Sequence, residues 1–132
     1  MSISYRITQR RNTIKQEQKL QYILQAVTTG TVNLDTISYE ISNECTLSKA
    51  DIYAVLIALG GKLQQHLAEG KIVDLGDLGK FKIGFNGVAV AELEQVTVKQ
   101  IKKFHLNHQP SLKLKHWLKT GVKVAKEMKK LV

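Results

Sequence analysis

The feature that most restricts how this chain can fold is a pair of short alternating segments within residues 70–85. Val73 and Leu75 flank an aspartate, and Phe81 and Ile83 then alternate with two lysines. An apolar residue at every second position is typical of a strand with one buried face. The pattern therefore predicts two antiparallel strands that share an apolar layer.

A Gly-Asp-Leu-Gly segment at residues 76–79 separates the two runs. Glycines permit the positive φ angles that a reversal of chain direction often needs, so the segment predicts a tight turn. Lys80 and Lys82 then fall on the face opposite the apolar layer. Two interpretations of these lysines stay open: a platform for a polyanion, or a surface that keeps the sheet in solution.

Length and composition indicate one globular domain. The chain has 132 residues, of which 43% are hydrophobic, and it has one proline. Its apolar runs are far shorter than the roughly 20 residues that cross a bilayer, and its first residues alternate instead of forming a signal-peptide block. Cys45 is the only cysteine, so neither an internal disulfide nor a cysteine metal cluster can form. We therefore expect a cytoplasmic protein in a reducing compartment, without cofactor or metal.

The formal net charge is +9, and it is unevenly distributed. Residues 1–70 contain 7 Lys+Arg against 6 Asp+Glu, whereas residues 71–132 contain 13 against 5. A charge of this size favours anionic partners such as nucleic acid or an acidic membrane surface. The second half of the chain is the basic half.

The first 32 residues begin with a predicted strand. Residues 3–8 alternate as a strand does, and Arg10 and Arg11 follow in a basic loop. Residues 15–19 are polar and resemble a linker. Residues 20–27 fit a helix and a strand equally well, so periodicity alone does not decide between them.

Residues 33–69 predict a pair of helices. The first covers residues 34–45, capped by Asn33, and places Cys45 on its inner face as a core residue. Ser48 followed by Asp51 resembles a capping box and predicts the start of a long second helix. An apolar stripe then runs along that helix and includes these residues: Ile52, Val55, Leu56, Leu59, Leu63 and Leu67.

Gly60 and Gly61 interrupt the second helix. Interior glycines cost roughly 1 kcal/mol each relative to alanine, so a helix that retains two of them needs a reason. Two explanations stay open, a local bend or the close approach of another backbone, for example from a partner helix in a dimer.

Beyond the hairpin, residues 88–93 predict a projecting ribbon or loop. Residues 96–98 and 101–106 resume strand character, with Lys103 and His105 opposite Phe104 and Leu106. Pro110 and Ser111 then open a predicted basic amphipathic helix that extends over residues 110–132. Its predicted inner face consists of Leu114, Trp117, Leu118, Val122, Ala125 and Met128, and lysines surround the rest, Lys129 and Lys130 among them.

This order of elements resembles the bacterial HU and integration host factor family of histone-like DNA-binding proteins. The resemblance is carried by Leu-Ser-Lys-Ala-Asp at residues 47–51, Leu67, Gly-Lys at 70–71, Val-Asp-Leu at 73–75, Gly-Lys-Phe at 79–81 and Leu-Lys pairs near Lys115. It covers roughly residues 34–119. The N-terminal strand and the arginine loop resemble an HU-like subfamily with an N-terminal extension, in which residues 20–27 would be a strand.

The resemblance implies an α+β, HU-like fold: N-terminal strands, two helices, a saddle of strands with a short arm at residues 70–109, and a C-terminal helix. It further implies a homodimer whose saddle binds double-stranded DNA without sequence preference, as a nucleoid-associated protein that condenses DNA. In the family an Arg-Asn-Pro arm tip wedges between base steps, whereas residues 85–104 contain neither arginine nor proline and include Glu92 and Glu94. The candidate DNA contacts are Lys80, Lys82, Lys99, Lys102, Lys103, Ser48, Lys49, Lys113, Lys115, Arg10 and Arg11.

Motifs of catalysis do not appear in the sequence. It contains no Gly-x-Gly-x-x-Gly, phosphate-binding loop or recognisable Ser/His/Asp context, so an enzyme is not expected. His105 and His108 are three residues apart on a predicted strand and point to opposite faces, which does not suit one metal ion.

Two other functions remain as alternatives. A winged-helix regulator has helix, turn, helix and hairpin in the same order, but the best-defined feature of the second helix is an apolar stripe where a recognition helix needs polar residues. The second alternative is a module that binds an anionic membrane surface or a protein through its basic C-terminal helix.

Overall fold

The computed structural model describes residues 1–11 and 20–128 and shows an α+β fold with three helices and two three-stranded sheets. The predicted linker at residues 15–19 and the lysines Lys129 and Lys130 lie outside the described residues. The elements in chain order are β1 (Ile3–Arg11), β2 (Leu20–Val27), α1 (Leu34–Ser42), α2 (Lys49–Ala68), β3 (Val73–Asp74), β4 (Lys80–Gly87), β5 (Ile101–Gln109), α3 (Leu112–Thr120) and β6 (Val124–Lys126).

The chain divides into two compact units. The first combines Met1–Asn33 with Trp117–Val132, and the second is Leu34–His116. Each unit contains one of the sheets. The described helices include none that is both long and apolar enough to cross a membrane.

The second unit is built on a sheet with the strand order β3-β4-β5, the hairpin sheet. Val73 pairs with Phe81 across β3 and β4, and Ile83 pairs with Leu106 across β4 and β5. A short 3₁₀ turn at Gly76–Leu78 joins β3 to β4, as the glycines of that segment predict. The alternating pattern thus predicted both strands and the turn between them.

Helix α2 begins where the sequence predicts it. Ser48 has extended backbone angles (φ −72°, ψ 157°), and its hydroxyl oxygen accepts a hydrogen bond of 3.2 Å from the backbone N–H of Asp51. This bond satisfies one of the four amide groups that have no partner within the helix. On the predicted apolar stripe, Ile52 and Leu67 are buried, whereas 59% of Val55 is exposed.

Helix α1 is shorter than predicted, since it ends at Ser42 and not at Cys45. The backbone N–H groups of Asn43 and Glu44 each bond to a carbonyl three residues earlier, a pattern that tightens and closes a last turn. Cys45 is consequently exposed, and its assignment to the core was wrong. Ser38 is fully buried instead, and its hydroxyl donates to the carbonyl of Leu34 over 2.7 Å.

The two glycines of α2 lie within one continuous helix. A Cβ atom added at Gly60 or Gly61 would have no heavy atom within 4 Å, apart from the chain neighbours and the helix's own backbone. No backbone of the described part of this chain therefore passes close to them. Two explanations were open for these glycines, a local bend or the close approach of another backbone. The second is excluded for the backbone of the described part of this chain.

The connection between β4 and β5 is a compact loop. The predicted strand at residues 96–98 is wrong, because 3₁₀ turns occupy Leu93–Gln95 and Val98–Gln100. The cause is local: the Gln100 side chain accepts a 2.7 Å bond from the N–H of Thr97, whose own side chain accepts from the Gln100 backbone. Side chains thus replace the partners that a neighbouring strand would supply.

The first unit holds the second sheet, the N-terminal sheet, in the order β2-β1-β6. β1 and β2 are antiparallel from Ser4 opposite Val27 to Arg11 opposite Leu20. The strand alternative for residues 20–27, which the family resemblance favours, is therefore the one adopted. β6 lies on the other side of β1 and runs parallel to it.

The long C-terminal helix predicted for residues 110–132 is also wrong. α3 ends at Thr120, and residues 124–126 form β6. The N–H of Ile3 bonds to the carbonyl of Lys123 over 2.7 Å, and the N–H of Glu127 bonds to the carbonyl of Tyr5 over 2.9 Å. Residues 124–126 therefore form a strand, because β1, at the other end of the sequence, supplies partners for the backbone groups of residues 123 and 127. The helical spacing of the apolar residues does not decide the structure.

Removing the cap of α2 gives a direct test of this architecture. The substitution Ser48→Ala should lower the free energy of unfolding by about 1 kcal/mol, because the N–H of Asp51 loses its acceptor. Chemical denaturation at a fixed protein concentration measures the change. The matched control is Ser2→Ala, at an exposed position outside any helix, which should leave stability unchanged; equal losses in the two variants would contradict the cap.

Candidate nucleic-acid interface

The pairing of β4 with β5 sorts their side chains onto two chemically different faces. Register pairs fix the members of each face, because side chains directly opposite each other lie on the same side of a sheet. The face called here the basic face bears Lys80, Lys82, Asn86, Lys103, His105, Asn107 and Gln109. The apolar face bears Phe81, Ile83, Phe85, Phe104, Leu106 and His108.

Three of the predicted DNA contacts meet on the basic face. Lys80 and Lys82 lie on β4, and Lys103 lies on β5 opposite Asn86. Neither β4 nor β5 contains an aspartate or a glutamate. Among the residues that the structure describes, no carboxylate forms an ion pair with these three lysines. Their charges are therefore available to an external anion.

One carboxylate lies at the border of this face. Asp74 of β3 is opposite Lys80 in the register. Its Oδ1 atom accepts a bond of 3.0 Å from the N–H of Gly76, so it is used in the turn. Because an acidic neighbour lowers the local positive potential, Lys82 and Lys103 are better placed than Lys80 to attract an anion.

The turn that precedes β4 is held by a side chain from β5 and by that of Ser111, the residue before α3. His108 Nε2 lies 2.7 Å from the carbonyl oxygen of Leu78, and since a carbonyl only accepts, the ring nitrogen donates. The Ser111 hydroxyl donates to the carbonyl of Asp77 over 2.7 Å and accepts from the N–H of Leu114 over 3.2 Å, at the start of α3. These bonds position the strand that carries the lysines.

The remaining lysines near β5 are placed differently. Lys102 is the extra residue where the register shifts, so it has no opposite partner on β4. Lys99 belongs to the 3₁₀ turn that precedes β5. Both adjoin the basic face along the chain without belonging to its alternating rows.

Two predicted contacts lie at the start of α2. The Lys49 Nζ atom is 2.9 Å from Asp35 of α1, an exposed ion pair. The Ser48 hydroxyl is already used as the helix cap. An anion at this helix terminus would compete with Asp35 for the lysine.

The last four predicted contacts lie on other elements. Lys113 and Lys115 are in α3, and Lys113 Nζ forms a weak, exposed pair of 3.5 Å with Asp77. Arg10 and Arg11 are at the end of β1 in the other compact unit. The structure therefore gathers Lys80, Lys82 and Lys103 on one face. Lys113 and Lys115 line an open cavity of about 490 Å³ together with Lys80.

Sequence reasoning placed His105 on the same side as Lys103, but it missed three other polar residues of the basic face: Asn86, Asn107 and Gln109. The signal was available, since Lys103, His105, Asn107 and Gln109 occupy every second position of β5. His105 and His108 lie on opposite faces, and no group of three His, Cys, Asp or Glu residues within the described ranges could hold a metal ion.

An open apolar groove lies on the other side of the hairpin sheet. It has a volume of about 530 Å³ and is formed between α2 and the apolar face. Its lining is Gly60, Leu63, Gln64, Leu67, Ala68, Ile83, Phe104 and Leu106. Phe104 is 65% exposed and Leu106 is 55% exposed, although both point toward the helix side of the sheet.

A family model described as an HU domain fused to a winged helix-turn-helix, an Ig or a glycine-rich motif matches residues 1–126. This match covers nearly the whole chain. The chain belongs to this HU-like family. The family resemblance read from residues 34–119 is thereby confirmed.

A solved structure has the same fold over much of the chain. It is a candidate bacterial DNA-binding protein from Bacteroides vulgatus ATCC 8482, with a TM-score of 0.61 and 16% identity. The aligned region covers 81% of this chain and 45% of that one, so the HU-like chain spans less than half the length of its neighbour. No curated protein matches the sequence.

The turn beside Lys80 gives a second test. Gly79 has φ +105°, and a Cβ atom there would clash with the carbonyl oxygen of Gln109. Gly79→Ala should therefore lower the free energy of unfolding by about 2 kcal/mol or more. Gly76 also has a positive φ, +64°, but open space around it, so Gly76→Ala should cost only about 1 kcal/mol. Denaturation curves that rank the two variants in the opposite order would contradict this geometry.

Proposed function

We propose that this HU-like protein binds double-stranded DNA without sequence preference, through the basic face of a homodimer, as a nucleoid-associated architectural protein. The observation that carries the proposal is the meeting of Lys80, Lys82 and Lys103 on one face whose two strands contain no carboxylate. Membership of the HU-like family and the described role of the Bacteroides vulgatus protein support it.

The chemistry of the basic face suits the DNA backbone better than the base edges. Lysine is a flexible point charge that attracts phosphate, and the amides of Asn107 and Gln109 can donate hydrogen bonds to phosphate or sugar oxygens. Sequence readout in the major groove depends on a helix or ribbon that enters the groove with bidentate side chains. A sheet face with separate lysines has no such reader, so binding should be independent of sequence.

The loop between β4 and β5 should contribute little to bending. It contains no arginine or proline to insert between base steps, and it includes Glu92 and Glu94, which phosphates repel. We infer that the protein coats or joins DNA through electrostatic contacts and does not kink it by a wedge. Arg10, Arg11, Lys49, Lys99, Lys102, Lys113 and Lys115 remain proposed secondary contacts.

The apolar groove supports the homodimer. Phe85 is 57% exposed and Phe104 is 65% exposed, and their rings contact each other edge to face at 5.9 Å. Aromatic side chains exposed in this way are stabilised by transfer out of water. The open surface over Gly60 and Gly61 would admit the close approach of a second backbone. A second copy seated in the groove would explain both observations.

A salt titration tests the proposed phosphate contacts. If about six phosphates are neutralised, the logarithm of the binding constant should fall with the logarithm of salt concentration with a slope near −5. Lys82→Gln removes one lysine from each subunit of a homodimer, so the slope should become shallower by about 2. Fluorescence anisotropy with a random duplex measures both slopes.

The matched control for that titration is Lys62→Gln. Lys62 lies on α2, away from the basic face, and its Nζ atom contacts Gln65 at 3.3 Å. The substitution removes the same charge as Lys82→Gln, but from a site outside the basic face. It should therefore leave the slope of the salt titration nearly unchanged. A strong preference for one short sequence, or equal effects of the two variants, would refute the proposal.

The homodimer has its own test. Phe104→Lys should lower the mass measured by sedimentation velocity, because it removes the contact through the groove: a buried ammonium without a partner is strongly unfavourable. Leu112→Lys is the control, since Leu112 is 84% exposed on α3 and lies outside the groove. A mass for Phe104→Lys equal to that of the wild type would place the dimer contact elsewhere.

A further inference from the structure

The edge formed by β2 differs from every other sheet edge in the described part of the chain. An edge strand presents unpaired N–H and C=O groups, and proteins protect such edges with charge, proline, bulges or short length. β6 has three residues and contains Lys126, and β3 has two residues and contains Asp74. β5 carries Lys102 and Lys103 and a register irregularity.

β2 has none of these devices. Its eight residues are Leu20, Gln21, Tyr22, Ile23, Leu24, Gln25, Ala26 and Val27, without a charge or a proline. Its pairing with β1 is regular along the whole strand. All of its side chains except that of Val27 are exposed, Leu24 by 68% and Tyr22 by 66%. β2 thus has the uncharged composition that is typical of a strand inside a sheet, although it lies at the edge of one.

The sequence of β2 is complementary to itself when a second copy runs antiparallel to it. With Ile23 opposite Ile23 of the second copy, Tyr22 faces Leu24, Gln21 faces Gln25 and Leu20 faces Ala26. Every pair then joins like with like: apolar side chains meet apolar ones, and the two amides can exchange hydrogen bonds. Shifting the register by two residues would place Gln21 or Gln25 opposite an apolar residue.

We propose that β2 is a self-association edge, at which the N-terminal sheets of two copies join around a two-fold axis through Ile23. The product is a continuous six-stranded sheet in the order β6-β1-β2-β2-β1-β6. The row of apolar residues that β2 shares with β1, where Ile7 is opposite Leu24 and Tyr5 is opposite Ala26, then continues across the axis. The contact is isologous, since each copy offers the same strand.

This contact is separate from the groove of the second unit and does not depend on DNA binding. Its residues all belong to the first compact unit. A protein that dimerises through the groove and also pairs through β2 has two different isologous contacts, which link dimers into larger assemblies. If the basic face binds DNA, as proposed above, such assemblies would hold two duplexes together.

Cysteine cross-linking without DNA tests the register. In a Cys45→Ser background, Ile23→Cys should form a disulfide-linked dimer on mild oxidation, because opposite Cβ atoms are about 5 Å apart. Gln21→Cys and Gln25→Cys should each fail alone, since like residues would be about 13 Å apart, and should cross-link when the two variants are mixed. No cross-link at Ile23→Cys or in the mixture, or a strong self-cross-link of Gln21→Cys, would overturn the proposal.

A pair of charge variants tests the contact in solution without new thiols. Gln21→Glu/Gln25→Glu places like charges opposite each other across the axis, while within each chain the carboxylates adjoin Arg10 and Arg6, which keeps the sheet folded. Sedimentation velocity should show self-association about tenfold weaker than the wild type. Gln21→Lys/Gln25→Glu brings opposite charges together and should retain it. Equal behaviour of both variants and the wild type would show that β2 is not the contact.

Discussion

The antiparallel register between β4 and β5 is the constraint on which the proposed DNA-binding surface depends. Because side chains alternate across a sheet, this register alone sends Lys82 and Lys103 to one side and Phe85 and Phe104 to the other. A slip of one residue on either strand would mix lysines with phenylalanines on both faces. The hydrogen bonds of His108 and Ser111 to the turn before β4 hold the strand in place, so they act on the surface without touching an external ligand.

The elements that sequence reasoning predicted well are those decided by neighbours in the chain. The hairpin, the cap of α2 and the alternation of Lys103 with Phe104 all follow from interactions over a few residues. The errors occurred where distant or competing partners act. The helix predicted for residues 110–132 has suitable apolar spacing, but β1 supplies backbone partners to residues 123–127. No strand forms at residues 96–98, because the side chains of Thr97 and Gln100 bond to the backbone there and stabilise a 3₁₀ turn.

Sequence reasoning predicted only the part of the candidate site that is decided by neighbours in the chain. Period-two alternation identified the lysines of β4 and β5, because that pattern is local. It could not show that Lys49 is paired with Asp35, since the two residues are on different helices. It also could not rank Lys80 below Lys82, because Asp74 approaches through the pairing of β3. The basic face and the apolar groove lie on opposite sides of the same sheet. The proposed DNA contacts and the proposed dimer contact would therefore depend on the same two strands.

The parallel pairing of β1 with β6 has a consequence for synthesis on the ribosome. Arg6 of β1 forms an ion pair with Glu127, the residue that follows β6, and the two are 121 positions apart in the chain. At translation rates of about 5–20 residues per second, β1 waits roughly 6–24 seconds for this partner. During that interval both β1 and β2 are edge strands, whereas in the completed sheet β6 covers the free side of β1. The N-terminal sheet is therefore completed late, when nearly all of the described chain has left the ribosome.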